Sequence, residues 1–162
     1  MAAVDYFLKI DGIKGESQDD KHKDEIQLES WSFGLTQTGS FGQGGGGGAG
    51  KASFQDVHFT SQTNAASAKL FIASATGQHI KSAILTCRKA GGKQEEFLII
   101  TLSDILVSSY QTGGHGAGGE LPKDQFALNF AKIEYSYKVQ DAKGALGAAI
   151  KAGYDLKKST TV

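Results

Sequence analysis

Residues 126–139 constrain the fold more than any other stretch of the chain. Their apolar side chains run Phe126, Leu128 and Phe130, then Ile133, Tyr135, Tyr137 and Val139. Side chains of a strand alternate between its two faces, so each set marks one face of an extended segment. Between the sets the phase slips by one residue, at Ala131 and Lys132. A second slip interrupts Ile26 and Leu28, then Trp31, Phe33 and Leu35, near Glu29 and Ser30. A β-bulge produces such a slip and bends the strand that carries it. Two long bulged strands therefore imply a strongly curved sheet or barrel rather than a flat one.

The turns of this chain depend on glycine freedom, since it has 22 glycines and one proline. The densest run is Gly42-Gln43-Gly44-Gly45-Gly46-Gly47-Gly48-Ala49-Gly50-Lys51, which comes close to a phosphate-binding loop. From Gly45 the spacing G-x-x-x-x-G-K is complete, but Ala52 stands where a Ser or Thr hydroxyl must reach Mg²⁺. Such a loop must also lead into a helix whose N-terminal N–H groups face the anion. Here Val57 and Phe59 follow, alternating with polar residues as in a strand. The run is expected to be a glycine arm between two strands.

Elsewhere Tyr6, Leu8 and Ile10 alternate as a first strand. Residues 16–25 are a mixed-charge segment expected to be a solvated loop. One helix is expected between an N-cap at Thr63 or Asn64 and a stop at Gly77, with Ala66, Leu70 and Ala73 on its packed side and Phe71 nearby. Residues 84–89 and 97–102 read as two strands joined by a glycine turn. Leu98, Ile99 and Ile100 are consecutive, so both faces of the second are expected to be covered. Gly113 to Gly119 form another flexible loop, residues 141–153 carry no clear pattern, and a short last strand is expected at residues 154–157. About eight strands and one helix make a mainly β single domain over residues 1–162.

Lys plus Arg and Asp plus Glu both number 17, so no net charge draws the chain to nucleic acid or to an anionic membrane. The first residues show no basic stretch followed by an apolar run, so no secretory signal is expected, and no segment is long enough to span a bilayer. Cys87 is the only cysteine and reads as a buried small side chain rather than a nucleophile. His22, His58, His79 and His115 stand far apart without ligand spacing, so no metal is expected. Asp56 and His58 share a strand face, where solvated polar residues are the simpler reading than an acid–base pair. Lys81, Arg88, Lys89 and Lys93 read as a solvent-exposed hairpin tip, without the interleaved aromatics of a stacking platform. No catalytic residue and no cofactor is expected.

Several stretches together resemble one family over nearly the whole chain. They are Val4-Asp5-Tyr6-Phe7-Leu8-Lys9-Ile10-Asp11-Gly12-Ile13-Lys14-Gly15-Glu16-Ser17, Trp31-Ser32-Phe33-Gly34, the glycine arm, Arg88-Lys89-Ala90-Gly91-Gly92, Leu128-Asn129-Phe130-Ala131 and Gly153-Tyr154-Asp155-Leu156. The sequence is similar to the haemolysin-coregulated proteins (Hcp), tube subunits of bacterial type VI secretion. The family commonly carries a second aromatic where Phe33 stands. The resemblance implies a two-sheet β-barrel with a flanking helix, a homohexameric ring with a wide channel, and rings stacked into a tube that a contractile sheath expels. It further implies a VgrG-type tip protein, the sheath and effector cargo as partners, and export from the cytoplasm without a cleaved signal. A phage tail tube protein is the nearest alternative, and a monomeric ligand-binding barrel a more distant one. Within this frame Ser30 and Ser32, opposite in phase to Trp31 and Phe33, are expected to face the channel. The arm residues Gln43, Gly44, Gly45, Gly46, Gly47, Gly48 and Lys51 are expected to reach between stacked rings.

Overall fold

A break at Glu29 lets one run of chain serve two partners and closes the barrel. The computed structural model describes residues 4–39 and 49–162. Strand β2 (Ile26–Leu28) pairs antiparallel with β1 (Val4–Ile10), and β3 (Ser30–Ser32) pairs with β6 (Val57–Gln62). Glu29 lies between them, its N–H donating to Thr60 O at 2.8 Å. On the other side β1 pairs with β7 (Ile80–Lys89), β7 with β8 (Glu96–Gly113), β8 with β9 (Lys123–Gln140) and β9 with β6, so the pairing returns to its start. The expected barrel is thus formed, with the slip at Glu29 and Ser30 as its corner.

The slip at Ala131 and Lys132 has a different structural origin from the expected bulge. Strands β8 and β9 keep their register across it, with Ser103 opposite Lys132 and Ile105 opposite Phe130. In β8 the buried residues Leu102 and Ile105 are also three apart, and between them Asp104 adopts φ 52°. Both strands slip together, so the ladder survives while the sheet coils. The register shift in this pair falls instead between Val107 and Ser109.

Strand β9 changes partner along its length. Its first half, Lys123 to Leu128, pairs with β6; its second half pairs with β10 (Leu146–Asp155), which β11 (Thr160–Thr161) extends. The patternless residues 141–153 are therefore mostly strand, and the expected last strand is the end of β10. Beside this sheet stands a two-stranded hairpin, β4 (Leu35–Gly39) with β5 (Ala49–Phe54).

Helix α1 (Ser67–Thr76) packs against β8 and buries Ser67, Leu70 and Ala73. Gly77 ends it as expected, in the left-handed conformation (φ 63°) with its N–H turned back to Ala73 O and Ser74 O. The start lies two to three residues later than expected, with Ala66 at the cap position. Asn64 instead holds the turn before the helix, where its Oδ1 accepts from Ala66 N and its N–H donates to Ser67 Oγ, both at 2.9 Å. Thr63 and Ser67 donate their hydroxyls to the fully buried Asp124 carboxylate of β9. Phe71 does not join the packed side; it is exposed, its ring 6.3 Å from Tyr110.

The mixed-charge segment is a loop with Glu16, Gln18, Asp20, Lys21, Lys23 and Asp24 exposed, as expected, but it also buries Ser17 and His22. Residues 16–25 fold across the outer face of β1 and β7 and bury Phe7, Thr86 and Arg88 with them. His22 stacks on Phe7 at 4.4 Å and 7° and bridges the carboxylates of Glu25 and Glu96, each at 2.9 Å. Arg88 lies over the other part of this aromatic pair, 4.8 Å from the Phe7 centroid, and binds Asp19 twice, at 2.9 and 2.8 Å, and Asp5 at 3.2 Å. Arg88 is thus a buried ion-pair centre rather than part of a solvent-exposed tip. The hydrogen bonds from its guanidinium hold the Asp19 carboxyl down at about 2, and Asp19 in return raises the Arg88 pKa.

Candidate functional site

The sequence offered an arm and a polar wall, and the structure positions the root of the first and part of the second. The arm residues Gln43, Gly44, Gly45, Gly46, Gly47 and Gly48 lie outside the described residues. Their flanks pair as β4 and β5, with Thr36 opposite Ser53 and, across a register shift after Gln37, Gly39 opposite Ala49. Lys51 is an exposed residue of strand β5, with no helix following it. That placement removes the helix N-terminus a phosphate loop requires. The root of the hairpin is fixed by aromatic packing: Phe54 stacks on Tyr154 at 5.2 Å and stands edge-on to Phe130 at 6.3 Å, and Phe33 lies 6.0 Å from Phe130.

Ser30 and Ser32 are exposed and Trp31 between them packs on the core, as their strand phase requires. They lie opposite Thr60 and His58 of β6, which in turn lie opposite Gln125 and Ala127 of β9. Neighbours directly across a ladder share a face, so these small and polar residues lie on one face, exposed at Ser30, Ser32, His58 and Gln125, half-buried at Thr60 and buried at Ala127. Asp56 does not meet His58: its carboxylate accepts from Ser108 Oγ at 2.6 Å and Asn129 Nδ2 at 2.9 Å. Cys87 is buried beneath the sheet, and burial pushes its thiol up to about 12, so at neutral pH it stays protonated and weakly nucleophilic. Among the described residues no three His, Cys, Asp or Glu side chains converge as metal ligands.

Two apolar surfaces were missed by the strand and helix reading. Beyond Ile133, the core-facing side of β9 leaves the barrel, and Tyr135, Tyr137 and Val139 are 41%, 39% and 51% exposed. Register shows that this is still the inner face, since Tyr135 lies opposite the buried Ile100 and Tyr137 opposite the buried Leu98. On the far side Ile150 of β10, opposite Tyr137, is 63% exposed. The second surface is the outer side of α1, where Phe71 and Ile72 are 55% and 52% exposed. Ala68 and Ala75 are exposed as well, which completes the spacing i, i+3, i+4, i+7 of an apolar helix stripe. That spacing was present in the sequence, but Leu70 and Ala73 defined the packed side and Phe71 was grouped with them.

A sequence model described as "Type VI secretion system effector, Hcp" matches residues 7–137. The chain belongs to the Hcp family. It is 45% identical over 159 residues to Protein hcp1 of Pseudomonas aeruginosa, covering 97% of this chain and 98% of that one. Among solved structures it is similar to Hcp1 from Salmonella typhimurium, with TM-score 0.82, 37% identity and coverage of 99% and 100%. It is also similar to one described as a type six secretion system protein, with TM-score 0.93, 29% identity and coverage of 99% and 100%. This Hcp protein is a tube protein of type VI secretion, a structural and secreted component. Among the described residues no helix is long and apolar enough to cross a membrane, which says nothing about membrane β-barrels.

Proposed function

We propose that this Hcp protein forms homohexameric rings that stack into the expelled tube, with effectors carried in the channel and no catalytic step of its own. The observation that carries this reading is the pair of apolar faces left open on an otherwise closed barrel. A subunit of a ring needs two different self-contacts, and contacts that close make a ring while contacts along the axis make a stack. The exposed polar face through Ser30 and Ser32 is the proposed channel wall, which cargo contacts. The arm of Gln43, Gly44, Gly45, Gly46, Gly47, Gly48 and Lys51 is the proposed reach from ring to ring, anchored by the Phe54–Tyr154 stack at its root. Glycine-rich segments lose much conformational entropy on ordering, so stacking between free rings should be weak and dependent on concentration.

The sheath and a VgrG-type tip protein are the proposed partners in the cell, with export from the cytoplasm by sheath contraction and without a cleaved signal. The test is complementation. A type VI-competent bacterium lacking its own tube subunit should release this chain, at its full 17.1 kDa mass, only when the sheath is intact. Release without a sheath, or none with one, would contradict the reading. Deleting residues 44–48 should spare single rings and stop tube growth, whereas normal tubes would exclude the arm from stacking. Replacing Ser32 with a large charged residue should spare rings and reduce cargo retention.

A further inference from the structure

On the polar face that carries Ser30 and Ser32, we infer that Gln111 and Gln125 clamp the main chain of an extended, uncharged peptide segment. The inference rests on the reading of that face as the channel wall and names the chemistry by which the wall holds its cargo.

Two rows of side chains cross four strands on this face. One runs Ser30, Thr60, Gln125 and Gln111, from β3 through β6 and β9 to β8; the next runs Ser32, His58, Ala127 and Ser109. Between β6 and β8 the rows bound an open groove of about 320 Å³, with His58, Thr60, Ser109, Gln111 and Gln125 among its lining. All of these are exposed except the half-buried Thr60. No carboxylate, ammonium or guanidinium group lines the groove among the described residues. In the rows to either side the charges are already engaged: Lys123 pairs with Glu29 at 3.2 Å, and Asp56 accepts from Ser108 and Asn129. A charged cargo segment would therefore leave water for a groove that offers it no counter-charge, which costs free energy.

The two glutamines supply what an uncharged chain needs. A primary amide carries a carbonyl acceptor and an N–H donor on one planar group, the same pair that a peptide unit presents. Each glutamine can take both hydrogen bonds of one peptide unit, which leaves the cargo side chains unread. Gln111 and Gln125 are directly opposite across the β8–β9 ladder, so their amides start about 5 Å apart and can grip one stretch of chain from adjacent points. The hydroxyls of Thr60 and Ser109 add rotatable donors and acceptors beside them. A helix satisfies its main-chain groups internally, so only an extended segment offers them to the wall.

The probe is a fluorescent peptide of Ser, Thr and Ala with both ends blocked, added to the purified whole chain and followed by anisotropy, with the sample's mass determined by sedimentation. A matched peptide carries N-methyl groups on alternate main-chain nitrogens, which removes donors and keeps every side chain. The first peptide should bind equally well at low and high salt. The methylated one should bind about tenfold more weakly, the effect of losing one or two net hydrogen bonds. Gln111→Met and Gln125→Met keep the length of an exposed side chain and remove its amide. Each should leave the sedimentation and the circular dichroism spectrum of the parent unchanged, weaken the first peptide about tenfold and shrink the difference between the two peptides. Rings that bind neither peptide, rings that bind both alike, variants that bind like the parent, or an affinity that falls steeply with salt would overturn the clamp and leave the tube reading standing. A parent that forms no rings would overturn the tube reading instead, and the same peptides titrated into the protomer would still decide the clamp.

Discussion

The two halves of β9 have the same apolar periodicity and opposite fates. In the first half Phe126, Leu128 and Phe130 are buried among residues of the same chain, with β6 on one edge and β8 on the other. In the second half the same face carries Tyr135, Tyr137 and Val139 into solvent, because β10 extends the sheet sideways and leaves these side chains exposed among the described residues. The difference teaches that periodicity reports which face is apolar and not what covers it. Where the cover comes from within the chain, the side chains set protomer stability; where the face stays open, they are left for contact outside the protomer.

The largest expected effect is in the closed half. Phe126→Ala should cost about 3–5 kcal/mol of protomer stability by deleting a buried ring and leaving a cavity. Thermal unfolding should report it at roughly 2–4 °C per kcal/mol for a domain of this size. Next is Arg88→Met, which leaves the carboxylates of Asp19 and Asp5 without their cation and should cost about 3 kcal/mol. Urea unfolding checks it, and a loss below about 0.5 kcal/mol would mean that the ion cluster does not hold that segment down. Gly15→Ala should cost about 1–3 kcal/mol by overpacking, since a Cβ there would lie 2.5 Å from the carbonyl oxygen of Glu25.

Acid should weaken the same cluster. Asp19 is held at about 2 in the folded protein against an ordinary 3.8, so its contribution is present above pH 3.8 and is lost as pH falls toward 2. Unfolding free energy measured across that window should fall more steeply for the parent than for Asp19→Asn. The smallest protomer effect belongs to the open half. Tyr137→Ala should change protomer stability by no more than about 0.5 kcal/mol, and a cost approaching that of Phe126→Ala would mean that the second half of β9 is core after all.

Much of this fold was legible because it depends on local rules. Gly77 stops the helix by adopting a conformation that glycine reaches without strain, and the slip at Glu29 and Ser30, expected as a bulge, is where the chain passes from pairing with β1 to pairing with β6. The segment at 16–25 was not legible. Its charges have the composition of a solvated loop, and only the fold reveals that Asp19 meets Arg88, 69 residues away, and that His22 meets Glu96, 74 residues away. The start of α1 was displaced for a similar reason, since Thr63 has the chemistry of a cap but its hydroxyl is engaged by Asp124. The open apolar faces escaped because strand and helix patterns identify an apolar side and leave its partner unspecified.

The most direct test of the account is negative-stain microscopy of the purified chain, with its mass measured on the same sample by sedimentation. Six-fold rings with an open centre are the predicted result, in which a second copy would cover apolar residues exposed in the protomer, such as Tyr135 and Phe71. A compact particle at 17.1 kDa at every concentration would contradict it, because the apolar faces would then be stable in water without a second copy.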